Sequence, residues 1–111
     1  MVPAEEHRSP DGSLHFAVIP MTDGDVAIGF REFGWHTHAD TLASILNLPK
    51  PQAVRSYVDD VLNDRAVIAM QYIDGELRDI WISKDPAGDL KYCHPNERVD
   101  FRYWSGAILG P

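Results

Sequence analysis

Residues 65–83 constrain the fold more tightly than any other stretch. Arg65 to Ile73 (RAVIAMQYI) is a nearly continuous apolar run. It is short and rich in β-branched residues, so it reads as a central strand buried on both faces rather than a helix. Asp74-Gly75 follows directly. That pair can supply positive φ at both central positions of a two-residue turn, which makes it the strongest hairpin signal in the chain. Glu76 to Ser83 (ELRDIWIS) then returns as the partner strand. A chain carrying such a hairpin must build a sheet and bury at least one of its faces.

The remaining segments arrange themselves around that hairpin. Ser13 to Pro20 and Asp25 to Phe33 read as two strands joined at Met21-Thr22-Asp23-Gly24, a second hairpin. Gly29 inside the second strand signals a bulge or the close approach of another backbone. Leu42 to Leu48 reads as a short helix, capped by Asp40 or Thr41 and ended by Pro49. The better helix runs from Pro51 to Asn63, with Val54, Tyr57, Val58, Val61 and Leu62 at helical spacing on one face. Asp85 to Asp89 reads as a turn, Leu90 to Cys93 as a short strand, and Arg98 to Trp104 as a strand with one face in the core. The expected class is α+β: a mostly antiparallel sheet of about five or six strands with one main helix packed on one face. Residues 1–12 read as a flexible tail, and residues 13–111 as a single domain.

A chain of 111 residues, 44% hydrophobic, can bury a core without covalent staples. The one cysteine, Cys93, cannot form an internal disulfide, which argues against a small secreted scaffold. Met1 to Gly12 has charges and two prolines and no apolar run of the signal-peptide kind. No segment approaches the roughly 18 apolar residues of a membrane helix, so the expected compartment is the cytoplasm. Ten Lys and Arg stand against seventeen Asp and Glu, a net charge of −7. That balance disfavours nucleic acid and suits a basic protein partner through field steering.

Two places carry chemistry. In Gly34-Trp35-His36-Thr37-His38-Ala39-Asp40, an extended backbone puts His36, His38 and Asp40 on one side. Two imidazoles and a carboxylate in a row suit zinc or iron, with a small metal-dependent enzyme as the corresponding activity. The competing reading packs Trp35 and both rings at a strand end, with ring N–H groups bonded to backbone. It predicts no tightly held metal or other cofactor. The second place is the C-terminal part of the main helix, where Asp59, Asp60 and Asp64 oppose the helix dipole. Acids there suit a surface for a cationic partner, with Trp35 as an aromatic contact elsewhere on the chain. Cys93 and His94 are sequence neighbours and point apart on a strand unless the backbone turns at Pro95, so nucleophilic catalysis finds little support.

The order of features resembles a group of small bacterial proteins associated with polymorphic-toxin immunity. The matching residues are Ile28-Gly29-Phe30, Trp35 to Asp40, the helix through Val58-Asp59-Asp60-Val61-Leu62, and Tyr103-Trp104-Ser105-Gly106. Ala39 stands where an aromatic is expected, and Trp-Ser-Gly replaces Ser-Trp-x-Gly. The resemblance implies a non-enzymatic binding protein that blocks its partner without chemistry. Set against it are the metal-dependent enzyme and a structural or oligomeric domain, a homo-oligomer included.

Overall fold

The computed structural model describes residues 4–91 and 93–109. Four strands, β1 (Glu5–Arg8), β2 (His15–Pro20), β3 (Val26–Phe30) and β4 (His36–His38), form one antiparallel sheet in that order. Two helices follow, α1 (Ala39–Leu46) and α2 (Lys50–Leu62). The chain then enters β5 (Val67–Ile73) and β6 (Glu76–Ser83), passes through a short helix α3 (Pro86–Lys91), and ends in β7 (Glu97–Arg102). These three strands form a second antiparallel sheet, ordered β6-β5-β7.

The class is α+β, but the strands divide into two sheets, not one. The reason lies in β5, whose two edges are taken by β6 and β7. With both edges paired, the apolar strand cannot join the first sheet through hydrogen bonds and meets it through side chains. Phe16, Val18, Ile28 and Phe30 from the first sheet share a core with Ile68, Met70 and Ile80 from the second. Ala53, Val58 and Val61 of α2 complete it, and each is fully buried. Val54, Tyr57 and Leu62 lie partly buried at its margin. Trp104 closes one side, its ring and that of Phe16 meeting edge to face with centroids 6.3 Å apart.

Asp74 and Gly75 adopt φ of 52° and 80°, and Ile73 pairs with Glu76 across them. The tight hairpin is therefore present as its sequence requires. Elsewhere the expectations need correction. The supposed N-terminal tail contains β1, whose Arg8 lies opposite His15 and whose Glu5 lies opposite Val18; residues 1–3 fall outside the described ones. Residues 86–91 of the expected turn and strand form α3; Tyr92 also falls outside. Asp85 accepts the Asp89 N–H through its carbonyl at 2.9 Å, starting a helical turn where a β-turn was expected. On β7, Val99 is buried on one face, whereas on the other Arg98 and Asp100 are exposed and only Arg102 at the end is buried.

Candidate functional site

Gly29 determines how β4 sits. A Cβ at that position would lie 2.6 Å from the Trp35 carbonyl oxygen and 3.1 Å from the His36 Cβ. Only a residue without a side chain lets the Trp35–His36 backbone come this close. The register sets His36 opposite Gly29 and His38 opposite Ala27. Paired residues share a face, so both imidazoles stand on the side of the first sheet away from the core. Their ring centroids are 4.8 Å apart, edge to face.

The two Nδ1 atoms differ in what they meet. His36 Nδ1 lies 3.0 Å from the Gly34 carbonyl, which can only accept, so the ring nitrogen donates. His38 Nδ1 is buried and lies 3.2 Å from Asp25 Oδ2, outside hydrogen-bond geometry. Asp25 begins the β3 end of the hairpin and also serves α1. Its Oδ1 accepts the Val26 N–H at 2.8 Å and the Asp40 N–H at 3.4 Å. The helix has His38 at its cap position with no side-chain cap of its own, so a carboxylate from another strand does that work. The Val26 N–H above all, helped by the Asp40 N–H and the neighbouring His38 and Lys50, holds the Asp25 carboxyl below its ordinary range; desolvation opposes them.

Asp40 does not join the histidines. It sits in the first turn of α1 and pairs with Lys50 at the start of α2. The row His36, His38, Asp40 ends where the strand becomes a helix, because the period-two alternation stops there. Among the described residues, no three His, Cys, Asp or Glu side chains converge as a metal site.

Asp59 and Asp60 lie on α2, whereas Asp64 falls beyond its end, and all three are engaged within the chain. Asp59 pairs with Arg55 at 3.6 Å, and Arg55 also reaches Glu5 of β1 at 2.7 Å. Asp60 pairs with Arg65 at 2.8 Å. Asp64, at φ 60°, accepts the Ser105 N–H at 3.0 Å and the Ser105 hydroxyl at 2.5 Å. Those two bonds keep its carboxyl below the ordinary range. Asp59 and Asp60 remain partly exposed on α2, whereas Asp64 ties the end of that helix to the C-terminal segment.

Trp35 belongs to a second grouping, which shares His36 with the first. It lines a cleft of about 370 Å³ together with Tyr57, Trp81, Ile82 and the exposed Ile45. Lys84, Asp85 and Asp89 complete the polar part of its wall. The cleft lies where the edge strand of each sheet, β4 and β6, meets α1 and α2. Trp81 is held by its indole N–H, which donates to Asp89 Oδ2 at 3.0 Å. The Ser83 hydroxyl donates to the same oxygen at 2.6 Å. Burial pushes the Tyr57 phenol well above its usual range, so it stays neutral. Beside the cleft, α1 ends at Asn47 in a left-handed cap (φ 53°), leaving Ile45, Leu46 and Leu48 exposed at 59%, 40% and 40%.

Sequence reasoning named Trp35 and missed Trp81, Ile45, Tyr57 and Asp25 as parts of these groupings. Trp81 stood in the hairpin strand and Tyr57 on the helix's apolar face, each with a sufficient local role. Compared with known proteins, the chain matches no family model, no curated protein and no solved structure. No described helix is long and apolar enough to cross a membrane.

Proposed function

We propose that the chain is a non-enzymatic binding protein of the bacterial immunity type. In this reading it blocks a basic protein partner that docks on the cleft between β4, α1, α2 and β6. The observation that carries the reading is the meeting of Trp35, Tyr57 and Trp81 with exposed Ile45 in one acidic-walled cleft. Aromatic side chains around an apolar centre are the composition of interface cores. Trp81 is already fixed by Asp89, so little side-chain freedom remains to be lost on docking. Two carboxylates, Asp85 and Asp89, stand against one cation, Lys84, in the wall, and the whole chain carries −7. A basic partner fits that balance.

Capture on immobilised protein tests the reading, with Ile45→Asp as the comparison. Ile45 is 59% exposed, so its replacement leaves the core alone. The wild type should retain a partner of basic isoelectric point at low salt, and the variant should bind it roughly 30-fold more weakly, about 2 kcal/mol. Retention of an acidic partner, equal retention by the variant, or no partner at all would count against the proposal.

A further inference from the structure

We infer that His36 and His38 form a two-imidazole chelate for a divalent transition metal ion of the zinc, nickel or copper type. His36 also lines the partner-binding cleft, but the inference requires no partner to be bound. It starts from the tautomers. A carbonyl oxygen can only accept, so the Nδ1 proton of His36 is fixed by Gly34 at 3.0 Å. The His38 Nδ1 is shut off from solvent, with a carboxylate oxygen of Asp25 at 3.2 Å. An ionised carboxylate can only accept, so the tautomer with its proton on Nδ1 is the one that avoids opposing lone pairs there. In the tautomer with the proton on Nδ1, each ring keeps a lone pair on Nε2. Neither Nε2 has a partner among the described residues.

His36 has the arrangement of a metal-binding histidine, whose second ring nitrogen donates to a backbone carbonyl while the other holds the ion. At His38 a carboxylate oxygen stands beside the corresponding nitrogen without completing a hydrogen bond. The two rings stand on one face of a strand, with centroids 4.8 Å apart. Metal–nitrogen bonds of about 2.0–2.1 Å let a single ion bridge imidazoles at such a separation. Borderline-soft ions that favour imidazole are the matching class; calcium and magnesium, which want oxygen ligands, are not. Asp25 is a positioning residue here, since its carboxylate lies beside the far nitrogen of His38 and not at the ion. Two protein ligands hold an ion less firmly than the four of a structural zinc site. The ion accordingly exchanges with the medium, with water completing its shell.

The test is a titration of the folded chain with zinc chloride, followed by calorimetry. One ion per chain should bind, and His36→Ala or His38→Ala should each weaken it at least about tenfold. Asp25→Asn keeps a side chain able to cap α1 and should weaken binding by a similar factor without loss of helix content. His94→Ala, an exposed histidine elsewhere, should bind as the wild type does. A second measurement needs no variant. Copper(II) added in small amounts should broaden the NMR signals of His36–His38 and of facing Ala27 and Gly29 before all others. No saturable binding, binding unaffected in both histidine variants, or broadening centred elsewhere would overturn the inference.

Discussion

Arg102 brings a positive charge to a side chain only 10% exposed, and every nitrogen of its guanidinium finds an acceptor there. Nε donates to the Tyr103 carbonyl at 3.0 Å and Nη2 to the Trp104 carbonyl at 3.3 Å. Nη1 donates to Asp11 Oδ2 at 2.8 Å and to the Ser13 hydroxyl at 2.9 Å. Ninety-one positions separate Arg102 from Asp11, so this one group fastens the β1–β2 loop to the end of β7. The bond from Arg102, then those from the Ser9 hydroxyl and the Ser13 N–H and hydroxyl, hold the Asp11 carboxyl far below its ordinary range. A carboxyl depressed on folding adds stability above its unfolded pKa, ordinarily 3.8, and loses it as pH falls below that value toward the folded one. Asp11 itself is 44% exposed, so solvent screens part of the attraction. Asp11→Asn should therefore cost about 1–2 kcal/mol at neutral pH, chiefly by leaving a buried cation without its anion. The gap to wild type should narrow progressively below pH about 4. Urea midpoints at a series of pH values would show it, and a gap absent at pH 7 would remove Asp11 from this role.

At the scale of elements, β3 and β4 show how a glycine shapes a site. Gly29→Ala would press a methyl group against the Trp35 carbonyl, which is backbone and cannot swing aside. The cost should be roughly 1–3 kcal/mol, and the His36 ring signals should shift because β4 must move outward. Thermal melting together with ring NMR would check both, and an unchanged melt would mean that β4 is not held where it lies. The close approach at Gly29 was legible in the sequence because a glycine weakens a strand interior and is placed there where a bulge or a neighbouring backbone needs the room. The 74–75 hairpin was legible for the same kind of reason: Asp-Gly between apolar strands favours one backbone conformation. The α2 helix was legible because Val58 and Val61 fall on one face, and both are fully buried. What local pattern could not supply was which elements meet. The polar segment EEHR gives no period-two apolar signal, and it becomes β1 only because β2 offers an open edge. Asp25 caps a helix that begins on another element, and Asp40, placed where a cap was expected, pairs with Lys50 instead. The cleft of Trp35, Tyr57 and Trp81 draws on three separate elements or loops, so no window of sequence contains it.

At the scale of the whole molecule, the excess of acids over bases bears on how a partner arrives. Asp59 and Asp60 each have an arginine beside them, so they are poor candidates for new direct ion pairs. Their carboxylates still contribute to the net charge of −7, and that field acts over distance. Surface pairs of this kind contribute at most about 1 kcal/mol to stability, so Asp59→Asn with Asp60→Asn should fold normally. The double variant carries two fewer negative charges and leaves Arg65 without its carboxylate, while Arg55 keeps Glu5, and the weaker acidic field attracts a basic protein less. Charges outside the contact act on encounter more than on residence. The association rate with a basic partner should consequently fall several-fold at low ionic strength, where the Debye length is about 30 Å at 0.01 M. The dissociation rate should change little. Near 1 M salt the Debye length shrinks to about 3 Å, and the two proteins should associate at the same rate. Ile45→Asp should behave in the opposite way, speeding dissociation at every salt concentration, because it removes apolar contact inside the cleft while adding to the acidic field. Stopped-flow association and surface-bound dissociation measurements separate the two effects. An association rate for the wild type that is identical at low and high salt would rule out steering by the acidic surface, whatever the cleft itself contributes.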